Sequence, residues 1–388
     1  NILKATGHTV ETEFYVNDAG RQIELLKQSV LAAMEGRQPP EGGYQGDYIN
    51  DLAAAAKAKG ITEDQLTDFL IKTVLDEQKK DMAAIKVKFD SFFSEKQLHG
   101  KGKVGKAIEV LKANGFTYEK DGAQWFNSEK FGDDKDRVLI RENGEETYFA
   151  ADIAYHLDKL ERGYDKLIDI WGTDHHGYIK RVQAAIQALG YDPKLKLEII
   201  IGQLVSLFRA GEPVRMSKRA GNIITLSEVV DEIGPDATRF FLAMRSPNTH
   251  LEFDLEVAKK KSDENPVYYV QYAHARICSI IKKACEDGIK LSGKVDVSLL
   301  KGDSERALIK RLWDYPDELI LSAEHREVHR LTNYLRDVAG LLHSFYHQCR
   351  VVGENKDLTL ARLALVDSAR IVFTNALGIL GISAPERM

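Results

Sequence analysis

Cysteine is nearly absent, with three in 388 residues, at 278, 285 and 349. Cys278 and Cys285 lie seven residues apart on one predicted helix, about 10 Å at 1.5 Å per residue, beyond the reach of a disulfide. No CxxC pair occurs, which argues against a structural zinc site and fits a reducing cytoplasm. Nowhere does an uninterrupted apolar run approach the ~18 residues of a membrane span, and no signal-peptide pattern opens the chain. Nor is there an excess of positive charge: 54 Lys and Arg against 59 Asp and Glu give a formal net charge of −5. A nucleic-acid partner would therefore be met by local basic patches, not by the chain as a whole. Internal repeats and low-complexity segments are missing too.

What is present is the composition of a folded soluble protein, 44% hydrophobic and 29% charged, long enough for two or three domains. Asn1 falls inside an apparent helix, so the natural N-terminus is expected upstream. Thr9 to Val16 alternates as a strand, Asn17-Asp18-Ala19-Gly20 breaks it, and a helix follows. Residues 35–48 are rich in Gly and Pro and lead into a mostly helical stretch ending near Phe93. Gly100-Lys101-Gly102-Lys103-Val104-Gly105-Lys106-Ala107 has the glycine spacing of a phosphate loop. Ala107 stands where the magnesium-binding Ser or Thr belongs, however, and residues 89–99 do not read as the required buried strand. A turn feeding a helix over 103–114 is the better expectation.

From Ala123 the pattern becomes β/α. Residues 137–140 and 147–149 are strand-like, 152–162 a helix, 166–171 a buried strand containing Asp169, 178–189 an amphipathic helix, and 199–201 a second buried strand. Such alternation predicts a parallel sheet whose ligands sit beyond the carboxyl ends of the strands. Two polar clusters fall there. One is Gly172-Thr173-Asp174-His175-His176-Gly177; its adjacent histidines point apart on most backbones and no third metal ligand is evident. The other is the basic stretch Arg215-Met216-Ser217-Lys218-Arg219, with Gly221 two residues on, which suits a polyphosphate or is simply a solvated turn. From Pro266 the pattern is helical only, with apolar stripes Val270/Ala273/Ile277/Ile280, Leu331/Leu335/Val338/Leu342/Phe345 and Leu363/Val366/Phe373/Leu377/Leu380.

These stretches converge on one family. Met216-Ser217-Lys218-Arg219 resembles the second signature loop of class I aminoacyl-tRNA synthetases, usually Lys-Met-Ser-Lys-Ser/Arg, with Arg215 in place of the first lysine. Trp171 to Tyr178, together with Tyr148-Phe-Ala-Ala-Asp152-Ile-Ala-Tyr-His156, resembles arginyl-tRNA synthetases in particular. Pro266 to Arg276 is similar to the opening of that family's anticodon-binding domain. Asp367-Ser368-Ala369-Arg370 stands at its Asp-Ala-Leu-Arg signature, and Pro385-Glu386-Arg387-Met388 matches its ending. The resemblance spans essentially the whole chain.

It implies a Rossmann-type α/β catalytic domain with a parallel sheet over 1–28 and 123–225, a mostly helical insertion over 29–122, a connecting or stem-contact region over 226–265, and an all-α anticodon-binding bundle over 266–388. It implies ATP with Mg²⁺, L-arginine and tRNA(Arg) as partners, no membrane, and a cytoplasmic monomer. By resemblance, Lys218 with Ser217 and Arg215 would serve the phosphates. Met216, Arg219, Gly202, Gln203 and Val205 would bind the rest of ATP. Tyr148, Asp152, His175 and Asp174 would hold arginine, with Asn17-Asp18 a further match. Tyr272, Tyr346 and Met388 would hold the anticodon, and Lys259-Lys260-Lys261 and Lys282-Lys283 are candidate phosphate contacts or solvated faces.

The chemistry suits these residue types. Activation joins the arginine carboxylate to the α-phosphate of ATP and expels pyrophosphate, so the nucleophile belongs to the substrate and the protein positions reactants and stabilises charge. A planar guanidinium asks for a carboxylate that can accept two parallel hydrogen bonds. Tyr148 and Asp152 share a face if their helix begins by Phe149; otherwise Asp152 is a helix cap, and on periodicity alone Tyr272 and Tyr346 are core aromatics. No His-x-Gly-His sequence occurs; in the family it helps bind ATP, and it is expected upstream of Asn1, so that the chain reads as a truncated enzyme, inactive alone. Two other readings fit part of the pattern: a non-catalytic tRNA-binding fragment or paralogue, and a class I synthetase for another amino acid such as cysteine. The second is opposed by the missing zinc-type cysteines and by the Tyr148/Asp152 pair.

Overall fold

A computed structural model describes residues 1–214, 224–291, 294–353 and 355–388. Its first strand, β1 (Glu13–Val16), is shorter than the sequence alternation suggests, and it pairs in parallel with β2 (Ser91–Ser94). The second strand lies where the sequence reads as helical insertion. Only Phe92 and Phe93 are apolar in it, and all four residues are half-buried, so no hydrophobic run announces it. Aromatic pairing holds it instead: Phe14–Phe92 and Tyr15–Phe93 ring centroids lie 5.7 and 6.3 Å apart. The helices Arg21–Met34, Asp47–Ala58 and Glu63–Ala84 fill the interval between the strands. They share a core of Val30, Ile49, Leu52, Ala56, Leu66 and Leu70.

The glycine-rich stretch at 100–107 is a helix–turn–helix. Glu95–Gly100 ends at Lys101, Gly102 takes the left-handed conformation at φ 64°, and Lys103–Ala113 follows. Lys103 and Lys106 are engaged by Asp158 and Glu161. An antiparallel sheet comes next: β3 (Thr117–Lys120), β4 (Ala123–Phe126) and β5 (Arg137–Ile140). The helix Tyr148–Glu161 then begins four residues earlier than expected. Thr147 Oγ accepts from the Ala150 N–H at 3.3 Å and caps it, so residues 147–149 are helix start and not strand.

β6 (Leu167–Gly172) and β7 (Leu197–Gly202) are parallel and joined through the helix Ile179–Ala188, the predicted βαβ unit. β8 (Val205–Arg209) turns back into β9 (Glu212–Pro213), and β10 (Leu251–Asp254) pairs in parallel with β8. The region 226–265 therefore contributes a strand to this sheet. Helix Tyr148–Glu161 underlies two of the three parallel pairs, β1–β2 and β6–β7. Its Tyr155 ring lies 4.8 Å from Tyr15 and 4.7 Å from Phe93, while His156 and Lys159 reach Asp169 on β6.

The helices Pro266–Glu286, Asp303–Trp313, Tyr315–His325, Val328–Gln348 and Lys356–Leu380 form a bundle. The three stripes read from sequence meet in one core, with only Ile280 at its edge. By length and composition Lys356–Leu380 is apolar enough to cross a membrane, with mean hydropathy 1.5, although no uninterrupted apolar run suggests it. Ten of its side chains, from Thr359 to Leu380, are buried, and the apolar ones among them belong to the bundle core. All three cysteines are unpaired.

Candidate functional site

The early start of helix Tyr148–Glu161 places Tyr148 and Asp152 one turn apart on one face, as expected. It also removes the capping reading of Asp152, since Thr147 is the cap. Tyr148 is exposed, and its hydroxyl accepts from the Arg21 N–H at 3.3 Å. That ring covers Gly20, where a Cβ would come within 2.5 Å of the hydroxyl and where φ is +81°. Glycine is required there twice over, for the backbone and for the tyrosine.

Asp152 is half-buried, and burial pushes its carboxyl above the usual range. His156, His175 and Lys159 oppose that push, whereas Asp169 adds to it. A second acid faces the same region, and the sequence did not reveal it. Glu95 is 5% exposed and raised by burial, with His99 opposing and Asp152 and Asp18 adding. Burial raises the Tyr15 hydroxyl and Glu95 adds to that rise, and the Asn17 amide, with its nitrogen turned inward, donates to Glu95 Oε2 at 2.9 Å. Asp18 accepts from Ser94 Oγ at 2.6 Å and from the Lys96 N–H at 2.9 Å. Among the described residues neither Asp152 nor Glu95 is in an ion pair with Lys or Arg. The two carboxyls thus form an acidic pair, with Asp152 adding to the upward push on Glu95. The only sequence signal for Glu95 would have been the strand β2 before it, and that strand was hidden.

Asp174 and His175 lie on the 3-10 segment Thr173–Tyr178 that follows β6. Both are exposed, with His175 Nε2 3.5 Å from Asp174 Oδ2 and the His175 ring 6.2 Å from Trp171. Gly172 and Gly202 are register partners, so the carboxyl ends of β6 and β7 are level. This brings Gly202 and Gln203 beside the Asp174–His175 segment, where parallel sheets take their ligands. Gln203 is exposed, with its N–H donating to Pro247 O at 2.8 Å, and Val205 opens β8. Arg215, Met216, Ser217, Lys218 and Arg219 lie outside the described residues. They are bracketed by the β8–β9 hairpin and by helix Leu226–Ile233, whose cap Thr225 accepts from the Glu228 N–H at 3.2 Å. No group of three or more His, Cys, Asp or Glu residues positioned for a metal occurs among the described residues.

On the bundle, Tyr272 and Tyr346 are 36% and 37% exposed and so are not core aromatics, unlike Tyr334, which is fully buried. Arg276 joins them: its guanidinium lies 4.5 Å from the Tyr346 ring and its Nη1 3.4 Å from the Tyr272 hydroxyl. Tyr268 and His343 stack on Tyr272 at 6.0 and 6.2 Å. Burial lowers the His343 imidazole below its usual value, with His347 and Arg276 adding. The spacing 268/272/276 was the signal for this wider platform. Met388 is exposed on a tail held by the His274 ring against Pro385 O (2.9 Å) and by Gln271 against Ser383 O (3.0 Å).

The lysine clusters are largely neutralised within the chain. Lys259 pairs with Glu232 and Glu256, Lys260 with Glu264, Lys282 with Glu286, and Lys283 with Asp287. Lys86 and Lys259 to Lys261, with Tyr268 and Gln271, nevertheless line a cavity of about 410 Å³.

Comparison with known proteins covers most of the chain. Residues 49–256 match the family described as tRNA synthetases class I (R), catalytic domain, and residues 270–388 the DALR anticodon binding domain. An arginine–tRNA ligase of Shouchella clausii is 47% identical over 404 aligned residues, covering 100% of this chain and 72% of that protein. A Campylobacter jejuni structure described as an arginyl-tRNA synthetase superposes with a TM-score of 0.89 at 39% identity, covering 100% of this chain and 87% of the other. The Thermus thermophilus arginyl-tRNA synthetase, 23% identical, has the same fold with a TM-score of 0.79, covering 100% and 77%.

Proposed function

The chain belongs to the arginyl-tRNA synthetase family, and from that premise we propose how its own residues divide the work of that reaction. Arginine–tRNA ligases first join the arginine carboxylate to the α-phosphate of ATP, releasing pyrophosphate, and then pass the arginyl group to the 3′-terminal adenosine of tRNA(Arg). The family match decides against a synthetase for another amino acid. The observation that carries the residue assignment is the acidic pair Asp152 and Glu95, two carboxyls raised by burial and, among the described residues, in no ion pair with Lys or Arg.

A guanidinium entering a pocket at that pair supplies the missing charge and returns both carboxyls to their ionised form. Asp152 accepts its paired N–H groups, Glu95 faces it from the β2 side, and Tyr148 closes the rim over Gly20. An ammonium offers no planar fork and satisfies the pocket less well. His175 and Asp174 form the floor between this pocket and the nucleotide. Gly202, Gln203 and Val205 meet the adenosine at the strand ends, and Met216 and Arg219 serve the same nucleotide. Lys218, assisted by Ser217 and Arg215, stabilises the charge that develops on the β- and γ-phosphates. Mg²⁺ arrives with the nucleotide, whose phosphates and waters supply most of its ligands. Tyr272, Tyr346 and Met388 hold the anticodon, its bases stacking on the platform that Arg276 braces. Lys260 and Lys261, in the cavity beside it, meet tRNA phosphates. The catalytic part takes 1–28 and 123–225 together with β2, the bundle takes 266–388, and the enzyme works as a cytoplasmic monomer.

Arginine-dependent exchange of pyrophosphate into ATP, with and without tRNA, tests this reading. Exchange in either arm supports it, and Lys218→Ala should lower the rate about 10²–10³-fold. Exchange in neither arm, with tRNA still bound, would favour the rival reading that the missing His-x-Gly-His motif raises: a tRNA-binding protein without catalysis.

A further inference from the structure

Behind the recognition carboxylate lies a buried charged cluster that the scheme above leaves unused. His156 is 4% exposed, with Nδ1 2.7 Å from the Asp152 carbonyl oxygen and Nε2 2.7 Å from Asp169 Oδ2. Lys159, 8% exposed, puts Nζ 2.7 Å from the other oxygen, Asp169 Oδ1. A neutral imidazole can donate from only one nitrogen. Here both nitrogens face acceptors: a carbonyl that cannot donate, and a carboxylate whose other oxygen is paired with Lys159. The ring therefore donates twice and carries a charge. His156 and Lys159 bring two positive charges and Asp169 one negative, so the cluster presents a net positive charge one turn below Asp152. A core that needed only neutrality would have stopped at one cation.

We infer that His156 is a positioning residue for arginine recognition: clamped as a cation between the Asp152 backbone and Asp169, it fixes the turn that carries Asp152 and eases the ionisation of that carboxylate when the guanidinium arrives. The inference rests on the assignment of Asp152 to the guanidinium. Asp152 is faced by His156 and Lys159 on its own helix, by Asp169 on β6, by His175 beyond it, and by Glu95 and Tyr15 from the β1–β2 side. Burial drives the carboxyl toward its neutral form, and His156 is first among the groups that oppose this. Without that charge Asp152 would protonate at a higher pH, so the acid limb of arginine binding would move upward. A merely structural histidine would instead lower the melting temperature and weaken every ligand alike, leaving the limb in place.

The test uses the full chain. Arginine affinity is measured by titration calorimetry from about pH 5 to 9 for the wild type, His156→Gln, Lys159→Met and Asp152→Asn, with ATP affinity measured alongside. Glutamine can still bond to Asp169 but carries no charge. His156→Gln should weaken arginine about tenfold at neutral pH, move the acid limb up by about one unit, and leave ATP affinity unchanged. Lys159→Met should shift the limb in the same direction by less, and it decides the matter if the glutamine variant does not fold. In ¹⁵N spectra of the wild type, both His156 ring nitrogens should be protonated at neutral pH. An unmoved acid limb in folded His156→Gln, or one unprotonated ring nitrogen, would overturn the inference. Normal arginine binding by Asp152→Asn, or none by the wild type, would be a different result, because it removes the site assignment beneath the inference.

Discussion

Two single positions carry much of the proposed recognition without touching a substrate. Gly20 combines φ +81° with a tyrosine hydroxyl 2.5 Å from where its Cβ would stand. Gly20→Ala therefore incurs both backbone strain, about 1 kcal/mol, and a displaced Tyr148 ring. We expect it to raise the KM for arginine while the KM for ATP stays as it is; equal changes in both would mean that Tyr148 only packs. On the bundle, Arg276 spans Tyr272 and Tyr346. Losing a base-stacking aromatic typically costs about 1–3 kcal/mol, so Tyr272→Ala should raise the KM for tRNA roughly 5- to 150-fold. Arg276→Ala, which leaves both rings in place but unbraced, should cost less. Filter binding at two salt concentrations separates stacking from phosphate contact, because only the latter steepens the salt slope. A Tyr272→Ala variant that bound tRNA normally would return that ring to the role of a half-exposed structural aromatic.

At the scale of elements, helix Tyr148–Glu161 serves opposite demands on its two faces. One face buries Phe149, Ile153 and Leu157, each contributing about 1.5–3 kcal/mol by area, and the other holds ionised groups. Burial would raise Asp169, but hydrogen bonds and charge from His156 and Lys159 hold it well below the usual carboxylate range. Glu13 on β1 is likewise lowered against burial by Arg162, Tyr155 and Ser91. A carboxyl lowered by folding contributes stability that is present above its unfolded value, about 3.9 for Asp and 4.3 for Glu, and that disappears as pH falls through the folded value. The urea midpoint should therefore drop steeply below about pH 4, and Asp169→Asn should flatten that drop; a variant with the wild-type slope would contradict it. Legibility in the sequence follows the same division. The bundle stripes were readable because each helix buries a long periodic face, and β6 and β7 because both are apolar runs. β2 and β10 were not: each is four residues long and held by neighbours rather than by its own hydrophobicity. Glu95 was lost with β2. The start of helix Tyr148–Glu161 was misplaced because Tyr and Phe suit a strand until the Thr147 cap is seen.

Across the whole molecule, the helix Pro235–Ala243 ties the two halves together through two side chains. Asp236 accepts from Lys86 Nζ at 2.8 Å, from Gln271 Nε2 at 3.0 Å, and from the Ser383 N–H at 3.1 Å as well as its hydroxyl. Lys86 follows the helix Glu63–Ala84, Gln271 sits beside the aromatic platform, and Ser383 belongs to the tail that carries Met388. Arg239, three residues on, donates to Leu380 O at 2.7 Å and to Ile85 O at 2.5 Å. Burial alone would raise the Asp236 carboxyl, but Lys86 and Ser383 bring it below its usual value. One carboxylate thus holds the catalytic side, the first helix of the bundle and the carboxyl-terminal tail in register. Replacing it with asparagine keeps the size, removes the charge, and leaves Lys86 and the Ser383 N–H competing for one oxygen. With a charge-assisted hydrogen bond at about 1.5–3 kcal/mol, Asp236→Asn should release the tail before it unfolds the domain. Hydrogen exchange should then speed up across residues 383–388 and at Lys86, while the bundle core at Leu335 and Phe373 stays protected. In the same variant the KM for tRNA should rise while tRNA-independent steps keep their rates. If exchange in the tail does not change, His274 and Gln271 anchor it without Asp236, which is then an ion-pair partner for Lys86 with no part in coupling the two halves.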